Sequence, residues 1–288
     1  MPDPKNYLYI SDLDGTLLTP GGGFPDAAAA RLNRLIDRGL MFSIATARNY
    51  DAAYPLLQAL NLNLPVVLFN GVYLTEFHSG RNIRLSRFIP RHIVADLIDL
   101  AGSMGVDPFI FNQANRVYFR GVTNPGSQNY VREQGGNGRL QRVSHYDFLK
   151  SEDISGSLFI DSRAVLEPLY LALKEKYPAD LNLYFAEDIA VRGHYWLQVF
   201  HRSANKGRMV EQLAEHAQIP LAKTVVFGDY LNDLEMFKIA GRAIAVENAL
   251  PEVKRAAHQV IGGNDTFGVI DYLESLMPEE TAPPNSAK

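Results

Sequence analysis

The strongest constraint on this chain is an apolar run that stops at a pair of acids: Tyr7-Leu8-Tyr9-Ile10-Ser11-Asp12-Leu13-Asp14-Gly15-Thr16. Tyr7 to Ser11 is apolar, aromatic and free of breakers, which predicts a short buried strand, and Gly15-Thr16 marks the turn away from it. Two carboxylates delivered together from a buried strand lose hydration and repel each other, so they demand a cation or a raised pKa. A divalent ion with hard oxygen ligands meets that demand, and magnesium suits it best. The same residues also suit an Asx-type turn in which Asp12 and Asp14 only accept backbone N–H groups. Taken alone, the acid pair leaves both readings open.

Other segments repeat the theme. Phe42-Ser43-Ile44-Ala45-Thr46-Ala47-Arg48 is an apolar run ending in a hydroxyl and a basic residue, and Val225-Val226-Phe227-Gly228-Asp229-Tyr230-Leu231-Asn232-Asp233 ends in acids. Asn205-Lys206-Gly207-Arg208 puts a lysine where an amphipathic segment begins. In open parallel sheets the ligand crevice lies outside the carboxyl ends of the strands, so groups far apart in sequence can meet there. Each also has an ordinary structural role: Lys206 as a solvated helix start, Thr46 as an N-cap, Asp233 as a first-turn charge.

In order, DxDGT from Asp12 to Thr16, the strand-terminal Thr46, Lys206 at a helix start and GDxxND from Gly228 to Asp233 resemble the four signature motifs of the haloacid dehalogenase (HAD) superfamily. The resemblance is to its Cof-type phosphatases with a type IIB cap, and the Gly268-Val269-Ile270 ending is also similar. It implies an α/β fold: a Rossmann-like parallel-sheet core interrupted by an α+β cap, with core at 1–81, cap at 82–193 and core again at 194–288. It further implies that Asp12 is the nucleophile and Asp14 the general acid, then the base for attacking water. Leu13 offers its backbone N–H to phosphate, and Mg²⁺ bridges Asp12, the Asp14 main-chain carbonyl and Asp229. Thr46, the Ala47 N–H and Lys206 hold the transferring oxygens, Asn232 contacts phosphate or the metal shell, and Asp233 orients Lys206 or a metal water. Arg48 and Asn70 match positions lining the family's substrate pocket. Two residues depart from the usual pattern: Ala47 where many relatives have Gly, and Gln198 where many have Glu.

The hydrophobic patterning agrees. Strand-like and helix-like runs alternate at both ends of the chain, the mark of βαβ units: a helix is expected over Pro25 to Leu40 and another over Asn49 to Leu60, followed by a strand at Val66 to Phe69. Asn70-Gly71 also reads as a type I′ turn into Val72-Tyr73-Leu74. The middle differs. A helix with Val94, Leu97, Ile98 and Ala101 on one face precedes paired strands near Pro108–Phe111 and Arg116–Phe119, joined by a turn at Asn112 to Asn115. Then come a strand at Ser157 to Asp161, a helix at Arg163 to Tyr177 and a strand at Asn182 to Phe185. Arg81, Arg84, Arg87 and Arg91 read as a solvated face.

With 288 residues and 47% hydrophobic content the chain can hold one large or two modest cores. The absence of cysteine excludes disulfide and thiolate chemistry, and a net charge of −4 argues against a nucleic-acid footprint. Seven scattered histidines lack metal-ligand spacing, and no run approaches membrane-spanning length. MPDPKNY is no signal peptide, so a cytoplasmic protein without membrane partners is expected, as a monomer or small homo-oligomer. The Pro-rich tail from Pro278 reads as disordered. Neither GxxxxGK[ST] nor GxGxxG occurs. The expected function is Mg²⁺-dependent hydrolysis of small phosphorylated metabolites, sugar phosphates first. A phosphomutase or phosphotransferase of the same superfamily is the alternative, ahead of a non-enzymatic phospho-acceptor module, which needs no inserted cap.

Overall fold

The structure, a computed structural model, describes residues 3–278 apart from 115, 135–138, 148–151 and 189–190. The first acid pair follows β1 (Leu8–Ser11), and α1 (Asp26–Asp37), β2 (Met41–Ile44), α2 (Tyr50–Leu57), β3 (Val66–Leu68), β4 (Tyr73–Glu76) and β5 (Arg81–Leu85) complete the first part. The middle holds α3 (Arg91–Ser103), β6 (Phe109–Asn112), β7 (Val117–Phe119), α4 (Pro125–Gln134), β8 (Leu140–Arg142), β9 (Ile154–Ser162), α5 (Arg163–Lys176), β10 (Leu181–Glu187) and β11 (His194–His201). The last part is α6 (Lys206–His216), β12 (Thr224–Gly228), α7 (Leu234–Ile239), β13 (Arg242–Val246), α8 (Pro251–Ala256), β14 (Gln259–Ile261) and α9 (Gly268–Leu276).

Five strands form a parallel sheet in the order β14-β13-β12-β1-β2. β1 is central and buried at every position, which explains its unbroken apolar run. A parallel bridge from Ala45 to Val67 sets β3 beside β2, and β3 starts a small antiparallel sheet with β4 and β5. The α/β class with a parallel-sheet core is therefore observed, with additional sheets beside it.

The six-stranded sheet of the middle region runs β10-β11-β9-β6-β7-β8, antiparallel except for β7 with β8. Alternation along its strands divides its faces. Ile110, Phe159, Leu197 and Val199 pack against Ile93, Val94 and Leu97 of α3 and Leu166, Leu169 and Leu173 of α5. Phe109, Phe111, Leu158, Ile160 and Phe200 join the hydrophobic cluster of the parallel sheet. By sheet membership the change of layer comes after Leu85 and after His201, whereas the sequence reading put it at 82 and 193. β5 pairs with β4, and β11 lies between β9 and β10, and neither partnership is written in a strand's own residues. Arg81, Arg84, Arg87 and Arg91 are all exposed. Of the expected turn at 112–115, Asn112 ends β6 and Gln113 and Ala114 form a turn, while residue 115 lies outside the described residues, as does the expected tail beyond Pro278. Among the described residues no helix is long and apolar enough to cross a membrane.

Candidate active site

Four loops at the carboxyl edge of the parallel sheet, together with the start of α6, bring the sequence-expected residues together. Asp12 leaves β1 with its N–H donated to Phe227 O of β12 at 3.0 Å, which fixes the start of the turn. The turn closes with Leu18 N–H on Leu13 O at 2.9 Å, and the Leu13 side chain is buried in the core beneath it. Gly15 sits at φ 79°, where a Cβ would fall 2.3 Å from Asp229 Oδ2. The turn therefore needs glycine twice over, for its dihedral and for the close approach of Asp229. Thr16 next to it donates its hydroxyl to Asp229 Oδ1 at 2.7 Å, and Asn248 donates to Gly15 O at 2.6 Å.

Lys206 is fully buried and wedged between two carboxylates, with Nζ 2.5 Å from Asp12 Oδ1 and 2.7 Å from Asp233 Oδ1. The solvated helix-start reading of Lys206 is thus overturned. Asn205 caps α6 by accepting from Arg208 N–H. Gly71, at φ 85°, lies so close to this cap that a Cβ would sit 2.1 Å from Asn205 O. Asp233 is also fully buried. Its Oδ2 accepts the Asp229 and Tyr230 N–H groups at 3.0 Å each, so it braces both Lys206 and the loop that carries Asp229.

Thr46 is buried and accepts the Arg48 N–H on its hydroxyl at 3.1 Å. The N-cap of α2 is Asn49, which accepts from Ala52 N–H, so Thr46 is not the cap. Ala47 is half-buried beside it. Arg48 clamps both oxygens of Asp14, Nε on Oδ2 at 2.8 Å and Nη2 on Oδ1 at 2.7 Å, a two-pronged contact suited to a guanidinium. Asn70 is fully buried and lies in a turn where Phe69, Asn70 and Gly71 have φ of 54°, 51° and 85°. Turn and site residue are thus the same: Asn70 Nδ2 donates to Gln198 Oε1 and Asn70 Oδ1 accepts from Asn232 Nδ2, each at 3.0 Å.

Carboxylate oxygens of Asp12, Asp229 and Asp233 lie within 4.8 Å of one another. The expected metal set named Asp14 in place of Asp233. The Asp14 side chain is turned to Arg48, and the oxygen expected of it is a main-chain one. Among the described residues the four carboxyl groups of Asp12, Asp14, Asp229 and Asp233 are paired with two cations, Lys206 and Arg48, so two formal negative charges are left for protons or a bound cation to meet. Burial pushes the Asp12 carboxyl well up; Lys206 opposes, while Asp233, Asp229 and Asp14 push further. Asp229 is pushed up to about 7, first by burial and then by Asp233. Burial lowers the Lys206 ammonium, and Asp12 and Asp233 more than offset this, so it stays charged. A divalent cation matches the deficit in sign and size, and the all-oxygen donor set suits a hard ion.

Neither a role for Thr16 or Asn248 nor the pairings of Arg48 with Asp14 and of Gln198 with Asn70 were identified from sequence. Only Thr16 carried a local signal, as the last residue of DxDGT.

The haloacid dehalogenase-like hydrolase family matches residues 9–273. A 5-amino-6-(5-phospho-D-ribitylamino)uracil phosphatase of Bacillus subtilis (strain 168) is 26% identical over 276 residues, 94% of this chain and 98% of that protein. An HMP-PP phosphatase of Serratia proteamaculans (strain 568) is 26% identical over 270 residues, 93% and 94% of the two chains. A solved haloacid dehalogenase-like hydrolase from Bacteroides thetaiotaomicron superposes with a TM-score of 0.79 at 21% identity, covering 94% of this chain and 99% of that one. Since the match runs from β1 through the inserted sheet to α9, the chain belongs to the haloacid dehalogenase-like hydrolases.

Proposed function

We propose that the protein is a Mg²⁺-dependent phosphatase of small phosphorylated metabolites that works through an aspartyl phosphate. The observation that carries this is a nucleophile-ready carboxylate, Asp12, held by a buried lysine inside an anionic pocket two positive charges short of neutrality. Lys206 occupies Asp12 Oδ1, which leaves Oδ2 to attack phosphorus. As that P–O bond forms, the bond to the ester oxygen breaks, and the leaving oxygen takes its electron pair and a proton from Asp14. Water then attacks phosphorus, gives its proton to Asp14 and releases Asp12 as carboxylate. Lys206, the Thr46 hydroxyl and the Leu13 and Ala47 N–H groups would hold the oxygens of the group in transfer. Asn232 would contact phosphate or the metal shell.

Asp12, Asp229 and the Asp14 main-chain oxygen would hold the ion, with Asp233 as brace. Bound there, magnesium supplies charge neutralisation between the nucleophile and the incoming anion. Arg48 would meet the substrate as well as orient Asp14. The inserted α+β region, 82–193 by sequence and 86–201 by sheet membership, would act as the cap over this edge. Sugar phosphates are the leading substrate class. One relative is named for a phosphoribityl compound.

Phosphate release over a panel of sugar phosphates, nucleotides and diphosphates, with and without Mg²⁺, tests the reading. Metal-dependent release from small monoesters is expected. Isomerisation of a hexose monophosphate without release would replace hydrolysis by mutase chemistry, and no turnover of any phosphate ester would overturn it.

A further inference from the structure

The geometry points to Gln198 as a positioning residue that sets the Asn232 amide from the inserted sheet. This rests on the phosphatase reading above. Three amides form a chain with one sense of donation: Asn232 Nδ2 to Asn70 Oδ1, then Asn70 Nδ2 to Gln198 Oε1, each at 3.0 Å. Asn70 has no freedom within it. It is fully buried, its backbone N–H is bonded to Thr46 O at 3.0 Å, and its φ is positive. Its two side-chain atoms are therefore fixed as one donor and one acceptor, and only an acceptor at 198 completes the pattern.

Gln198 comes from β11, so the chain joins the six-stranded sheet to the loop that carries Asp229 and Asp233. The contact is held apart from the amides themselves. The Phe69 ring, one residue before Asn70, lies 4.7 Å from that of Phe111 and 4.8 Å from that of Phe200, both on the same sheet. With one N–H of its amide engaged by Asn70, Asn232 would keep the second N–H for a phosphate oxygen and Oδ1 for the metal shell. Withdrawal of Gln198 releases Asn70, and with it the orientation of Asn232. The rate of the core chemistry thereby depends on where the inserted sheet sits.

The test compares the full-length protein with Gln198→Leu and Gln198→Glu. On a small ester with little to bind, such as phenyl phosphate, Gln198→Leu should lower kcat about 10-fold with KM changed less than about threefold. Gln198→Glu keeps an acceptor and should restore kcat. A loss confined to the KM of larger substrates would make Gln198 a substrate contact and overturn the proposal, as would equal losses in both variants. If the wild type hydrolyses no ester, the phosphatase reading fails by itself, and the side-chain amide NMR signals of Asn232 still decide the positioning role. They should shift in Gln198→Leu and stay in place in Gln198→Glu, and an unmoved Asn232 signal in Gln198→Leu overturns it.

Discussion

The parallel sheet and the six-stranded sheet contribute to the site by different geometric means. In the parallel sheet every strand ends at the same edge, so Asp12 after β1, Thr46 after β2 and Asp229 after β12 converge, although Asp12 and Asp229 are separated by most of the chain, and the parallel bridge that sets β3 beside β2 brings Asn70 to them. In the largely antiparallel sheet neighbouring strands end at opposite edges, and no edge collects their termini. That sheet can offer only a face, and it does so with alternate residues of β11, among them Gln198 and Phe200. Charge accumulates at an edge, and surface area accumulates on a face. The two kinds of contribution meet at one point, the amide chain from Gln198 through Asn70 to Asn232.

If the division is sound, substitutions in the two sheets should fail differently. Asp12→Asn should lower turnover on the order of 10⁴-fold or more. It also removes a carboxylate that burial and three acids disfavour, so without Mg²⁺ the variant should melt no lower than wild type. A large drop in Tm would show that Asp12 holds the fold together. Leu197→Ala, on the fully buried far face of the six-stranded sheet, should cost about 2–5 kcal/mol in denaturant unfolding. The folded variant should keep its kcat on a small ester, and a loss of kcat as large as that of Asp12→Asn would erase the distinction.

The metal-free edge should also report its own crowding. Asp229 rises from 3.8 to about 7 on folding, so between these values the folded chain holds a proton that the unfolded chain has lost. Its contribution to stability is then full below about pH 4 and is lost as pH rises through about 7. Mg²⁺ must displace that proton, so the stabilisation by a fixed Mg²⁺ concentration should grow from pH 5.5 to pH 8. Thermal melts with and without the ion at both pH values measure it, and a pH-independent shift would remove Asp229 from the metal site. The smallest effect is expected where the two regions touch through charge. Arg139, before β8, pairs with the largely buried Asp51 of α2 at 2.7 Å. Arg139→Ala should change KM about two- to fivefold and leave kcat intact. Unchanged KM for large and small substrates alike would mean that this pair does not hold the inserted sheet in place.

The parts legible in the sequence are those whose cause is local. The apolar run of Tyr7 to Ser11 became β1 because a central strand is buried on both faces, and the helical spacing around Val94 and Leu97 became α3 because one stripe alone is covered. The site residues were legible in kind because their chemistry and order are distinctive. Their partners were not. Arg48 and Asp14 are 34 positions apart and Asn70 and Gln198 are 128, and nothing in either member of a pair names the other. The same holds for β5 and β11, which the sequence reading does not mark as strands and which pairing with β4, and with β9 and β10, makes so. Thr46 and Lys206 show the opposite case: each suited an ordinary local role, and the fold overrode it by burial.

The contact between Gly71 and Asn205 O bears on how changes in this chain are to be weighed. Residue 71 bears no reactive atom and sits in a buried turn, where a comparison of sequences by chemical character would pass over it. Any side chain there must push back the start of the helix that delivers Lys206. In a saturation library, position 71 should therefore rank with Asp12 in intolerance and differ from it in symptom. Its variants should fold and bind metal, yet hold their lysine too far from the nucleophile to be useful.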